Sequence, residues 1–162
     1  MRYKIVPEPL DWDGLLEARD ALPLVPGTVE DCCTRIRDQT PLQSRDAARE
    51  LLTFLQALGL AAESDRGFHR VRGDVTDDDL RAAFVENVFG ARELRDALLA
   101  ADEPLTADDG LDVLREQIPG WERARYPDWE AEWGERVDRL LTWATVFGLA
   151  DSVDGAYRVA ER

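Results

Sequence analysis

Lysine is almost missing from this chain of 162 residues: of 20 basic side chains only Lys4 is lysine, and the rest are arginine. Histidine is scarcer still. With His69 alone, neither a histidine-based zinc triad nor a Ser-His-Asp set can be assembled. The two cysteines, Cys32 and Cys33, are neighbours. Adjacent residues rarely close a disulfide, and one pair cannot complete a zinc site. Both therefore read as small apolar fillers in a reducing compartment. No apolar run approaches the roughly 18 residues of a membrane span, and the start, Met1 to Pro7, has no signal-peptide apolar stretch. A cytoplasmic protein without membrane contact is the expectation. There is no glycine-rich phosphate loop. Asp77-Asp78-Asp79 and Asp108-Asp109 fall at predicted helix starts, where acids suit the positive end of the helix dipole. They lack EF-hand spacing. These absences point to a protein that is not an enzyme and uses no metal or cofactor.

Acid is what the chain has in excess. It carries 34 acidic against 20 basic residues, a net charge of −14, with 44% hydrophobic residues to build cores. Abundant Asp and Glu with almost no lysine resembles proteins of salt-in halophiles, the haloarchaea above all. At about 1 M salt the Debye length is only about 3 Å, so net acidity alone does not exclude nucleic acid as a partner. The charge is also uneven. Residues 1–72 carry 12 acids and 10 bases, and residues 73–162 carry 22 acids and 10 bases. The balances of −2 and −12 suggest different partners for the two halves.

The chain contains an internal repeat. Leu51-Leu52-Thr53-Phe54-Leu55-Gln56-Ala57-Leu58-Gly59-Leu60-Ala61 recurs as Leu140-Leu141-Thr142-Trp143-Ala144-Thr145-Val146-Phe147-Gly148-Leu149-Ala150, offset by 89. After a polar turn, Phe68-His69-Arg70-Val71 matches Ala156-Tyr157-Arg158-Val159 at an offset of 88, as if one turn residue were deleted. Each copy reads as an amphipathic helix ended by a left-handed glycine, then a hairpin. On this alignment His69 and Val71 share the inward face of Tyr157 and Val159, leaving Phe68, Arg70 and Arg72 outward.

A helix ending in Leu-x-x-Leu-Gly-Leu, or its Trp143–Leu149 counterpart, followed by a hairpin that closes on an aromatic-x-Val strand, resembles the third helix and wing of winged-helix domains. Upstream helices complete the pattern. In the first copy they run from Trp12 to Leu22, from the cap Thr28 to Asp38, and from the cap Ser44 to Leu58. In the second they run from Glu93 to Ala101, from the cap Thr106 to Gln117, and from about Asp128 to Phe147. A further helix, Thr76 to Val88, connects them. The expected fold is mainly α with small β-hairpins (α+β): two winged-helix domains in tandem, residues 1–72 and, including the linker helix, 73–162. The second copy departs from the family pattern between Ile118 and Trp129, where a long stretch replaces the tight turn before helix three.

The resemblance implies DNA as a partner of the first domain. Its third helix offers Ser44, Arg45, Arg49, Thr53 and Gln56, the last four spaced to share one face. Arginine and glutamine read base edges, while serine and threonine reach phosphates. The hairpin adds Arg66, Arg70 and Arg72. Asp46 and Glu50 lie between the helix arginines and favour a plain solvated face instead. In the second domain the third helix is acidic, and a phosphate backbone is repelled. Trp121, Tyr126, Trp129 and Trp133 crowd together there, either as core or as an anchoring patch for a protein partner or a second copy. The functional expectation is a DNA-associated regulator or genome-maintenance factor, contacting DNA through domain one and protein through domain two. The alternative is a protein–protein adaptor that never touches DNA.

Overall fold

The computed structural model describes residues 3–160. It divides into two compact units, Met1–Phe89 and Gly90–Arg162. The first contains α1 (Trp12–Ala21), α2 (Val29–Gln39), α3 (Arg45–Ala57), the antiparallel strands β1 (Ala61–Ser64) and β2 (Gly67–Arg70), and α4 (Asp77–Asn87). The second contains α5 (Ala91–Ala100), α6 (Ala107–Leu114) with a 3-10 turn over Arg115–Gln117, α7 (Gly120–Arg125), α8 (Trp129–Val146), and the antiparallel strands β3 (Ala150–Val153) and β4 (Ala156–Val159). This is the predicted mainly-α fold with two small hairpins.

Helix starts are set by local side chains. Asp11, Thr28 and Ser44 each accept a hydrogen bond from a backbone N–H of the first turn that has no partner within its helix. Thr76 with Asp79, and Thr106 with Asp109, form reciprocal capping boxes. The stop signals are equally local. Gly59 and Gly148 adopt φ of 79° and 77°, and the next residues turn back: Leu60 N–H reaches Leu55 O at 2.9 Å, and Leu149 N–H reaches Ala144 O at 2.8 Å. Each unit closes around its own apolar layer. Leu15, Ile36, Leu51 and Leu55 are fully buried in the first, as are Leu114, Val137, Leu141 and Trp143 in the second.

The hairpins correct the repeat alignment. Ala61 pairs with Arg70 and Ala150 with Val159, so the offset stays at 89 throughout and no turn residue is deleted. A third strand segment confirms it: Gly27 bridges Phe68, and Leu105 bridges Tyr157. Phe68, not His69, is therefore the counterpart of Tyr157, and Arg70 stands where Val159 does. Because side chains alternate along a strand, this one-residue slip reverses the face assignments along β2, while Arg72 beyond it is exposed as expected. Val71 is accordingly exposed, and Arg70 lies on the face of buried Ala61.

The division between units also differs from the expected 72/73. Helix α4 belongs with the first unit: Phe84 packs edge-on against Phe54 of α3, and Asn87 Nδ2 donates to Ala57 O at 2.9 Å. Its acids move with it. Residues 1–89 carry 17 acids and 11 bases, and residues 90–162 carry 17 acids and 9 bases. The balances become −6 and −8, and the charge asymmetry between halves largely disappears.

Candidate nucleic-acid interface

One side of α3 faces solvent, and the proposed reading residues lie on it. Ser44 caps the helix, its hydroxyl accepting from Ala47 N–H at 3.0 Å. Arg49 is exposed, while Arg45, Thr53 and Gln56 are half-buried along the same side. Thr53 spends its hydroxyl on Arg49 O at 3.2 Å. Arg45 reaches across to α2, where its Nε donates to both carboxylate oxygens of Glu30 at 2.9 and 2.8 Å and its Nη2 adds a further contact.

Glu30 is the centre of this surface. The Arg45 hydrogen bonds hold its carboxyl below the usual carboxylate range, and the fields of Arg45, Arg49 and Arg37 act in the same direction. Three arginines therefore act on one exposed carboxylate beside α3, on a chain whose overall charge is strongly negative. Sequence reasoning nominated neither Arg37 nor Glu30. Helical spacing held the signal, since Glu30, Cys33 and Arg37 fall three and four residues apart on one stripe.

The arginines of the hairpin form a separate group. Arg70 points back to α1, with Nη1 at 3.4 Å from Asp20 Oδ1, and Arg19 pairs with the same carboxylate at 2.9 Å. Arg66 at the hairpin tip and Arg72 beyond β2 are exposed. His69 is half-buried, and its Nδ1 has no hydrogen-bond partner. Cys32 and Cys33 are buried and free, and burial pushes the Cys32 thiol up to about 11. A thiol so rarely ionised is inert, as the filler reading expects.

The same positions in the second unit carry different chemistry. At the structural offset of 89, Gly134, Asp138, Thr142 and Thr145 replace Arg45, Arg49, Thr53 and Gln56. Asp138 accepts from Tyr157 Oη at 3.3 Å, and the hydroxyls of Thr142 and Thr145 donate to backbone carbonyls of their own helix. None of these four positions carries a cation to meet a phosphate, and the arginines between them, Arg136 and Arg139, pair with Glu132 and Glu135 of the same helix.

Of the four aromatics grouped there, Trp133 is not available to a partner. It is only 1% exposed, its ring covered by the Arg136 guanidinium at 4.5 Å, because it sits on the inward face of α8 with Val137 and Leu140. Trp121 is the reverse, 59% exposed on α7. Trp129 is half-buried between two guanidinium groups, Arg123 at 4.9 Å and Arg115 at 5.3 Å, and Tyr126 is half-buried beside Arg125 and Arg136.

Among the described residues no group of His, Cys, Asp and Glu is placed to hold a metal ion, and no helix is long and apolar enough to cross a membrane. No curated protein and no solved structure matches the chain. The family model of the halobacterial double winged helix domain does match, over residues 1–162. With its paired helix-and-hairpin units and its acidic, lysine-poor composition, this chain belongs to the halobacterial double winged helix domain family.

Proposed function

We propose that this is a non-enzymatic, DNA-associated binding protein, in which α3 of the first unit contacts duplex DNA and the α7–α8 aromatics of the second engage a protein partner. The observation that carries the first part is that Arg45 and Arg49 share the solvent-facing side of α3, Arg45 in contact with Glu30 of α2 and Arg49 and Arg37 close enough for their charges to act on the same carboxylate. With the charge balance of the units nearly equal, this local set of arginines supports the reading where net charge does not. Arg45 and Arg49 stand in the first half of α3, the part of a recognition helix that meets base edges in the major groove. Arg66 at the hairpin tip suits the neighbouring backbone. The Arg45–Glu30 pair is no obstacle: exposed ion pairs contribute about 0–1 kcal/mol, whereas a bidentate arginine–guanine contact is worth about 1–3 kcal/mol.

The adaptor reading, in which no DNA is bound, is favoured by one observation: Arg45 and Arg70 are both engaged with carboxylates of the same unit. Binding of the full-length chain to a pool of labelled duplexes, across a KCl series, separates the two. DNA contact predicts affinity that falls with salt and a loss of about 1–3 kcal/mol on Arg49→Ala, with relaxed sequence preference. Absence of binding at every salt, or binding indifferent to Arg45→Ala and Arg49→Ala, establishes the adaptor instead. In either case Trp121→Ala should abolish a protein complex while leaving the melting curve in place.

A further inference from the structure

Two exposed aliphatic side chains of the first unit line one groove. Leu24 is 45% exposed and Val71 36%. The loop between α1 and α2 brings them there. It runs alongside β2 as a third strand segment, with Arg70 N–H donating to Pro23 O at 2.8 Å and Gly27 exchanging two hydrogen bonds with Phe68 at 2.9 and 2.8 Å. Leu24 and Val71 then line a shallow groove together with Arg19, Arg70 and Arg72, against the acids Asp20 and Asp74. Arg19 and Arg70 share one carboxylate, that of Asp20. The groove thus keeps a positive balance on a chain of net charge −14.

We propose that this groove is a docking site for an acidic peptide segment that carries aliphatic anchors. Three features argue for that occupant. Contiguous exposed aliphatics are costly in water and mark contact with apolar groups, which a phosphate backbone does not offer. The arginine rim selects a partner of negative charge. The hydrogen-bonded loop, bracketed by Pro23 and Pro26, holds the groove in shape before anything binds, so little ordering remains to offset affinity. The site is distinct from the α3 surface and takes over Arg70 and Arg72, which the sequence grouped with the DNA-reading residues.

The test is selection from a displayed library of random peptides on the full-length chain, followed by fluorescence anisotropy of the enriched peptides. Enriched sequences should carry Asp or Glu flanking Leu, Ile, Val or Phe. Leu24→Asp and Arg72→Glu, both at exposed positions, should each weaken binding about tenfold or more without shifting the melting curve. Raising KCl from about 0.15 M to about 1 M shortens the Debye length from about 8 Å to about 3 Å. The Arg72→Glu effect should then shrink, and the Leu24→Asp effect persist. Arg49→Ala, on which the DNA reading turns, should leave peptide binding unchanged, so the two proposals fail separately. The inference is overturned by a selection without enrichment, by enriched peptides lacking acids, or by affinities indifferent to both groove variants. Duplex DNA that displaces the peptides would equally overturn it, and would return the groove to the nucleic-acid face.

Discussion

Replacing Gly110 by alanine sets two known effects against each other, and the structure decides between them. Gly110 lies inside α6, and alanine in a helix interior is favoured over glycine by about 1 kcal/mol. At this position, however, a Cβ would meet Val137 Cγ1 at 2.7 Å, Leu94 Cδ2 at 3.2 Å and Leu141 Cδ1 at 3.6 Å. Val137 is fully buried on α8 and β-branched, so its methyl group cannot swing aside without leaving its preferred rotamer. Relief requires α6 and α8 to part. Overpacking of this kind costs about 1–3 kcal/mol, which exceeds the helix gain and leaves Gly110→Ala destabilising by about 1–2 kcal/mol. Val137→Ala alone should cost about 2 kcal/mol for the buried methyl groups removed. It also removes the atom that blocks the new Cβ, so the double variant should be less damaged than the sum by about 1 kcal/mol. Tryptophan fluorescence during denaturant unfolding is the suitable assay, because four of the five tryptophans (Trp121, Trp129, Trp133 and Trp143) belong to the second unit. Stabilisation by Gly110→Ala, or strict additivity with Val137→Ala, would refute the packing argument.

Leu55→Ala and Leu141→Ala, at positions 0% and 1% exposed, should each cost about 2–5 kcal/mol in chemical denaturation, and a loss near zero would show that the faces of α3 and α8 are misassigned. The net charge of −14 should make the compact state self-repelling at low ionic strength. The melting temperature should therefore rise as KCl goes from about 0.1 M toward molar levels. A melting curve that ignores salt would remove that argument.

Helix by helix, the local chemistry was legible in the sequence. The caps Thr28, Ser44, Thr76 and Thr106 and the stops Gly59 and Gly148 act over a few residues, so the elements begin and end within a residue or two of where those side chains placed them. The duplication was legible for the same reason, since each copy repeats one helix-glycine-hairpin pattern. Strand register was not. A hairpin's register depends on what its strands pair with, and Phe68 pairs with Gly27, 41 residues away in sequence and invisible to local pattern. The partner of α4 was equally hidden: an amphipathic helix declares that it has an apolar face, not that Phe84 will find Phe54. That packing moved five acids and one base across the boundary and removed most of the charge asymmetry. Composition named the arginines and tryptophans; only the fold sorted Arg45 and Arg49 to Glu30, Arg70 to Asp20, Trp133 to the core and Trp121 to the surface. Such sorting depends on contacts between residues distant in the chain, and sequence spacing carries no information about them.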